Sequence, residues 1–468
     1  MTTNPPRLHD LPLAFVQGAE KILPGGFFYS QTAHLAQLEC YAWDNTDMRC
    51  LPQAVALVQE AGQVAALLKW CHEWGICVTP RGAGTGNVGG ALAVQGGVVL
   101  SLQRMNRLLE INPADRLAVV EPGIVNADLQ ARLRPHGLFW PPDPSSARSC
   151  TIGGNLAMCA AGPHAVRYGV TRDWVLGVHA VLADGTLLQT GGRTTKGVVG
   201  YDLTRLLIGS EGSLAVITQA TLKLAVLPTT RRLMRVVFAH VDGAAQAIAA
   251  LMVGETLPCA VEFLDPAALN LLRATVKIPD AGRAMLLLEL CGGVEDVERQ
   301  MQGATAVVSA FDPLELVVAA GEGDQANQVW AARFALSPLL KKLAPKRVNE
   351  DVVVPISRLA ELIYGLEQLA MEQGVPIVTF GHAGNGNMHV NLLLDPTDPA
   401  QTAKVEETLA RLFRLVLSLE GTLSGEHGIG TQKKPFIHWE LSPSVLKLHH
   451  GIKTLFDPKG ILNPGKIF

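Results

Sequence analysis

Several things are scarce in this sequence of 468 residues, and each scarcity closes a class of function. Charged residues are only 17% while hydrophobic ones are 48%. That balance belongs to a globular protein with a large core, not to a disordered chain. Basic charge is not in excess: 39 Lys and Arg against 42 Asp and Glu leave a net charge of −3. A nucleic-acid-binding surface is therefore not expected. A run of about 18 uninterrupted apolar residues, the length that signals a membrane span, is missing, so no transmembrane segment is expected. The opening stretch Met1–Phe15 lacks a basic segment followed by a long apolar one, so no secretory leader is expected. These absences predict a cytoplasmic protein, with peripheral contact to the inner membrane left open. Cysteine is present eight times, at positions 40, 50, 71, 77, 150, 159, 259 and 291, but never as Cys-x-x-Cys. Iron–sulfur clusters and structural zinc usually gather their thiols. The cysteines are expected to be buried and reduced, and any redox chemistry needs another carrier.

What is present divides the chain. Its length predicts two or more domains. The first fifty residues read as a helical lead-in. Ala54–Trp74 carries apolar residues at helical spacing and stops at Gly75. Strands are predicted at 76–79, 98–102 and 117–120, and a helix at 127–134 stopped by Pro135 and Gly137. Strands and turns continue to Leu227, and Pro228 marks a boundary. Beyond it strand-like runs (234–238, 284–290) alternate with helix-like ones (244–252, 359–373), an α+β pattern. The resulting division is a lead-in at 1–47, a first domain at 48–227, a second at 228–420 and a C-terminal segment at 421–468.

Gly84-Thr-Gly86-Asn-Val-Gly89 satisfies G-x-G-x-x-G. A Rossmann site would need a helix to open there, yet the following residues include Gly96-Gly97 and Val98-Val-Leu100, which favour strand. Glycines still let backbone approach a phosphate closely without any helix; a plain structural turn is the other reading. A second small-residue segment, Ile152-Gly-Gly-Asn155, follows Pro142-Asp-Pro-Ser-Ser146 and precedes Ala160-Ala-Gly-Pro163 and Tyr168-Gly169. A third is Ile208-Gly-Ser-Glu-Gly-Ser213, followed by Ile217-Thr218.

With these three pieces the chain resembles the FAD-binding domain of the vanillyl-alcohol oxidase (PCMH) type, and more closely the family of glycolate oxidase D-subunits and FAD-linked D-lactate dehydrogenases. The resemblance runs from about Pro52 to Phe468. It implies an α+β protein: a two-lobed FAD-binding domain, an α+β cap domain, and a short helical C-terminal segment returning to the flavin. By the same resemblance Arg81, Gly82, Ala83, Gly84, Thr85, Gly86 and Asn87 would wrap the pyrophosphate. Cys150, Thr151, Gly153, Gly154, Asn155, Ala160, Gly162, Tyr168, Glu211 and Ile217 would line the rest of the cofactor, and Asn463 of the C-terminal run Phe456–Gly465 would approach it. Relatives with covalent flavin often carry a histidine in the first loop. Pro80–Gly90 has none, which predicts non-covalent FAD. Cys159 stands where the family often has asparagine.

Two segments carry chemistry: Gly381-His382-Ala-Gly-Asn-Gly-Asn-Met-His389-Val-Asn391 and Ser424-Gly-Glu426-His427-Gly-Ile-Gly430. Two imidazoles and a carboxylate make a common divalent-metal set with open positions for substrate, and glycines permit the tight backbone that gathers them. Solvated loop histidines or a flavin-contacting loop are the other readings. His382 and His389 are seven apart among glycines, so they do not form a helical protease motif. The family resemblance implies that His382, His389 and Glu426 ligate a metal, zinc or manganese, and that His427 is the catalytic base. It also matches Arg333 to a substrate-binding arginine, with Asn391 a further substrate candidate. Asn385 stands where the family commonly has aspartate. A lysine that related 2-hydroxyglutarate dehydrogenases use near Asn349 is absent, which disfavours that dicarboxylate.

The parts together predict oxidation of a D-2-hydroxy acid (lactate, glycolate, 2-hydroxyglutarate or similar) to the 2-keto acid. The metal holds the substrate, His427 takes the hydroxyl proton, and the Cα hydrogen leaves as hydride to flavin N5. An external acceptor (quinone, electron-transfer protein or iron–sulfur subunit) would reoxidise the flavin, and a homodimer is left open. Two rivals stand beside this reading. One is a metal-independent FAD enzyme of the same fold; the other is a non-catalytic flavin-binding subunit of a glycolate oxidase complex.

Overall fold

The computed structural model describes residues 10–30, 35–321, 323–344, 346–395 and 397–468. The chain divides into two units: Met1–Ala161 with Val170–Leu227 and Glu426–Phe468, and Gly162–Gly169 with Pro228–Gly425.

The first unit holds two main sheets. One uses β1 (Phe27–Tyr29), β2 (Ala54–Leu57), β3 (Val78–Arg81) and β4 (Val98–Ser101) in the order β1-β2-β4-β3. Strands β2, β4 and β3 run parallel, and β1 closes the edge antiparallel. Helices Leu13–Ile22 and Ala61–Trp74 supply its core: Phe15, Val16, Ala19, Val64, Leu67 and Leu68 are buried against Ala54, Ala56, Val78, Val98 and Leu100. Phe15 stacks on Trp70 with ring centroids 6.3 Å apart, an arrangement that adds to the area burial.

The second sheet uses β5 (Leu108–Asn112), β6 (Leu117–Val120), β8 (Val175–Val181), β9 (Leu187–Gly191) and β10 (Val216–Lys223), in the order β5-β6-β10-β8-β9, all antiparallel. A short pair, β7 (Leu138–Phe139) with β11 (Ala225–Val226), lies beside it in sequence. Its own core gathers around Trp140, Leu156, Ile152 and Leu207. Two sheets with separate cores are the two lobes expected.

Local expectations fare unevenly. Ala54–Trp74 is not one helix. Residues 54–57 are β2, and the helix begins at Ala61 and ends at Gly75 in the left-handed conformation (φ 64°). The pairing of β2 between β1 and β4 overrides the helical spacing of its alanines and valine. The lead-in holds a helix at Leu13–Ile22, strand β1 and a helix at Leu35–Glu39; its residues 1–9 and 31–34 lie outside the described residues. No helix opens at Gly84–Gly89, where turns and bends run to β4, so the loop is not a Rossmann turn.

The second unit is built on one seven-stranded antiparallel sheet. Its strands are β12 (Thr230–Phe238), β13 (Ala260–Leu264), β14 (Ala284–Gly292), β15 (Glu315–Ala320), β16 (Lys346–Val353), β17 (Ile377–His382) and β18 (Asn387–Leu394), in the order β15-β12-β14-β13-β17-β18-β16. Helices Pro266–Leu272 and Asp324–Leu343 cover one face through Leu269, Leu272, Val329, Ala332, Leu336 and Leu340. Every residue of β13, β17 and β18 is buried, so the polar residues among them, Glu262, Thr379, His382, Asn387, His389 and Asn391, need partners inside the protein.

The cysteine expectation needs correction. Cys259 and Cys291 are bonded to each other. Antiparallel pairing sets β13 and β14 side by side, with Cys259 N–H donating to the Glu289 carbonyl at 2.6 Å, and the two Cα atoms end 6.1 Å apart. That separation suits a disulfide, and the sequence separation of 32 hides it from any local motif. Cys40 is exposed rather than buried.

Candidate functional site

A pocket enclosing about 1280 Å³ of open space lies in the first unit. Its lining includes Arg81, Gly82, Ala83, Gly84, Thr85, Gly86 and Asn87 from the loop after β3, then Cys150, Thr151, Gly153, Gly154, Asn155 and Ala160, then Glu211 and Ile217. Glu426 and His427 complete it. Four stretches far apart in sequence thus meet in one cavity. The glycines are demanded by space: a Cβ on Gly82 would meet Thr151 Oγ1 at 2.3 Å, and one on Gly153 would meet Pro122 Cβ at 2.5 Å. A wall built this closely from backbone can follow an extended nucleotide cofactor.

Four sequence candidates have further or different surroundings. The Arg81 guanidinium donates to the carbonyls of Ala91 (3.2 Å) and Trp43 (2.7 Å), so the side chain braces the loop. Asn463 lies outside the lining and donates to the carbonyls of Gly90 (3.0 Å) and Glu211 (2.6 Å), tying the C-terminal run to two wall segments. Gly162 and Tyr168 fall in the eight-residue piece of the second unit. There Tyr168 Oη lies 3.6 Å from Cys291 Sγ.

Glu211 does more than line the cavity. Its carboxylate accepts from Ile429 N–H (2.7 Å) and Gly430 N–H (2.9 Å), just after His427. Burial raises its pKa first and foremost, against those two amides and the more distant Lys466 and Lys433. His427 in turn has Nε2 3.1 Å from Asn87 Nδ2. The loop bearing the expected base is therefore fixed from both sides by pocket residues.

In the second unit, strands β17 and β18 form a hairpin whose turn requires Gly386 (φ 72°), where a Cβ would meet the Val354 carbonyl at 1.9 Å. The hairpin sets His382 and His389 on one face, with Nε2 atoms 3.4 Å apart and rings nearly perpendicular. Two imidazoles on a tetrahedral zinc at about 2.0–2.1 Å would place their nitrogens roughly 3.3 Å apart. These two residues can hold a metal. His389 pairs in register with Asp351 of β16, a fully buried carboxylate. Asp351 accepts from Gly425 N–H (2.7 Å) and Ser424 Oγ (3.2 Å), and so fixes the backbone immediately before Glu426.

Arg333, from the helix Asp324–Leu343, is no surface charge. Its side chain is 16% exposed, its Nε donates to Glu262 Oε2 at 2.7 Å, and its guanidinium lies 4.6 Å from the centre of the Phe380 ring. Glu262, fully buried in β13, also bonds His382 Nδ1 through Oε1. Burial would raise the Glu262 carboxyl, but His382 and Arg333 outweigh it and hold it below the usual carboxylate range. Asn391 is buried, its Nδ2 donating to the carbonyls of Val378 (3.0 Å) and His389 (3.2 Å). Its Oδ1 has no hydrogen-bond partner among the described residues.

Sequence reasoning missed Glu262 and Asp351. The available signal was a lone acid inside an apolar strand, Ala260-Val-Glu-Phe-Leu264, because a carboxylate is buried only when paired.

Known proteins share both halves of this arrangement. The family described as "FAD binding domain" matches residues 52–191, and "FAD linked oxidases, C-terminal domain" matches 227–467. Glycolate oxidase subunit GlcD of Bacillus subtilis (strain 168) is 37% identical over 431 residues, 92% of either chain. D-lactate dehydrogenase of Archaeoglobus fulgidus is 34% identical over 437 residues, 92% of this chain and 95% of that one. Among solved structures, p-cresol methylhydroxylase superposes with a TM-score of 0.81 at 18% identity, over 97% of this chain and 96% of that one, which supports the PCMH-type fold. The chain belongs to the FAD-linked oxidase family and is an FAD-dependent oxidoreductase.

Proposed function

We propose that the protein oxidises a D-2-hydroxy acid to the 2-keto acid, with non-covalent FAD in the first-unit pocket and a divalent metal on His382, His389 and Glu426. The observation that carries this reading is the charge arrangement in the second unit: two imidazole nitrogens 3.4 Å apart, with a mostly covered guanidinium held to the same carboxylate, Glu262, as one of the imidazoles. A cation site next to an arginine suits a substrate with a carboxylate and an adjacent hydroxyl. When bound, FAD supplies the acceptor for the hydride leaving Cα, and the metal supplies a Lewis acid that lowers the hydroxyl's pKa.

The chain's own residues do the rest. Arg333 takes the substrate carboxylate, and Asn391 offers its buried carbonyl oxygen as an acceptor. His427 receives the hydroxyl proton on a ring nitrogen, held in place by Asn87 and by the Glu211 clamp on the residues that follow it. The D-handedness and the choice among lactate, glycolate and larger acids rest on the names of relatives such as D-lactate dehydrogenase. An external electron acceptor accords with GlcD being named a subunit. Among the described residues no helix is long and apolar enough to cross a membrane.

The test is a panel of D- and L-2-hydroxy acids with an artificial dye acceptor, beside anaerobic flavin bleaching. The purified protein is expected to be yellow, to release FAD on acid precipitation, and to bleach with D-lactate or a longer D-acid. Equal bleaching by both enantiomers overturns the handedness. No bleaching by any member favours a flavin-binding subunit without turnover.

A further inference from the structure

Glu262 is the one acidic residue of an otherwise apolar strand, Ala260–Leu264, and is 0% exposed. A buried carboxylate is costly unless its charge and lone pairs are matched. Here the matching is divided. Oε1 engages Nδ1 of His382, its register partner on β17. Oε2 engages Nε of Arg333, which arrives from a helix. Neither partner is near Glu262 in sequence, at separations of 120 and 71. The carboxylate is therefore a bracket between two elements, with one oxygen for each.

The consequence lies in what each partner can then present. With Nδ1 engaged, His382 turns Nε2 toward His389, at 3.4 Å. A carboxylate behind a ligating imidazole fixes its tautomer and orientation. With Nε engaged and the guanidinium carbon 4.6 Å from the Phe380 ring centre, Arg333 is held at two points. Glu262 takes only Nε, so the Nη donors are the ones directed elsewhere.

We propose that Glu262 is a positioning residue that sets the metal-ligating His382 and the carboxylate-binding Arg333 in mutual register, so that the site is gauged for a carboxylate carrying its hydroxyl on the adjacent carbon. This rests on the metal and substrate assignment above and extends it. A buried ion pair serving stability alone would not couple metal affinity to substrate affinity; a shared bracket does.

The experiment uses the FAD-loaded protein and four variants: Glu262→Gln, Glu262→Asp, Arg333→Gln, and Glu262→Gln combined with Arg333→Gln. Zinc affinity is read by chelator competition and KM and kcat by dye reduction at saturating zinc. FAD content and melting temperature are followed throughout. Glu262→Gln is expected to weaken zinc binding by about 10- to 100-fold, the usual effect of losing a group behind a ligand. It should raise KM roughly tenfold, the equivalent of one charge-assisted hydrogen bond, with a smaller change in kcat and full FAD. Glu262→Asp keeps the charge one methylene short and should fall between, which preserves the test if the glutamine variant folds poorly. Arg333→Gln should raise KM and leave zinc affinity alone. The double variant should raise KM no further than the larger single one, since contacting residues are not additive.

Zinc affinity and KM at wild-type levels in both Glu262 variants overturn the inference, as does strict additivity in the double variant. A wild type that holds no metal and keeps full activity after chelation overturns the underlying metal reading, and this inference with it. Zinc retained by wild type but bound equally well by Glu262→Gln overturns the inference alone.

Discussion

The two units build their sites from opposite materials. In the first, backbone does the shaping: Gly82, Gly84, Gly86, Gly153 and Gly154 line the pocket, and even Arg81 turns its guanidinium inward to hold a loop. In the second, polar and charged side chains do it: Glu262, His382, His389 and Asp351 stand on the sheet and Arg333 on a helix over it, all on buried or nearly buried positions. The contrast teaches where each is fragile. A backbone wall fails by steric intrusion, whereas a side-chain cluster fails when one partner leaves another unpaired, at about 3–5 kcal/mol for a buried pair.

The largest effect should follow intrusion into the wall. Gly153→Val forces a Cβ to within 2.5 Å of Pro122, and the protein is expected to be colourless and not reconstitutable with FAD, while zinc still binds through His382 and His389. A yellow Gly153→Val protein would break the contrast at its strongest point.

His427 tests it from within the first unit, as a side chain whose task is chemical. His427→Ala should keep FAD and metal and slow flavin reduction by about 10²- to 10⁴-fold, the usual cost of a general base. High pH should recover part of the rate, because the substrate hydroxyl then ionises unaided. Stopped-flow reduction at the wild-type rate with metal bound removes His427 from its role.

Glu426→Gln, also in the first unit, sharpens the comparison on the side of charge. It removes the anionic ligand, so metal content and activity should fall together by about 10- to 100-fold or more, with added zinc or manganese restoring part. Metal analysis and activity on one preparation decide; activity lost with metal retained dissociates Glu426 from ligation.

The smallest effect concerns Lys466, buried in the first unit and donating to the carbonyl of Leu92 (2.7 Å). Burial pushes its amine down to about 8 from the ordinary 10.5, against the pull of Cys50, Glu211 and Asp44. A lowered amine pKa means the unfolded chain binds more protons between those values, so the cost of burying the charged amine is full and constant below the window and is relieved as pH rises across it. Urea midpoints from pH 8 to 10 should rise more steeply for wild type than for Lys466→Met. Parallel slopes would show that Lys466 titrates as an ordinary surface amine.

How much of this was legible in the sequence depended on distance along the chain. The glycine segments and the His/Glu pair announced themselves because local spacing encodes them, and the strand-rich α+β division followed from short-range patterning. The helix read into Ala54–Trp74 failed because cross-strand pairing decides residues 54–57. The Cys259–Cys291 bond and the Glu262 bracket were invisible because they join residues 32, 71 and 120 apart. Asn463 and Arg81 were found as positions, but only the structure showed them bracing carbonyls.

The chain passes from one unit to the other four times, and the short visit Gly162–Gly169 is the telling one. His164 in that piece lies 3.2 Å from Glu289, a carboxylate only 5% exposed, and Arg167 donates to the Cys291 carbonyl at 2.9 Å. A fragment comprising 228–425 alone would lose both and leave Glu289 with Arg231 as its remaining charge partner. The second unit therefore cannot be lifted out, exchanged with a relative's or expressed separately as a single cassette. Any chimera that alters its substrate preference must carry eight residues from the middle of the other unit with it.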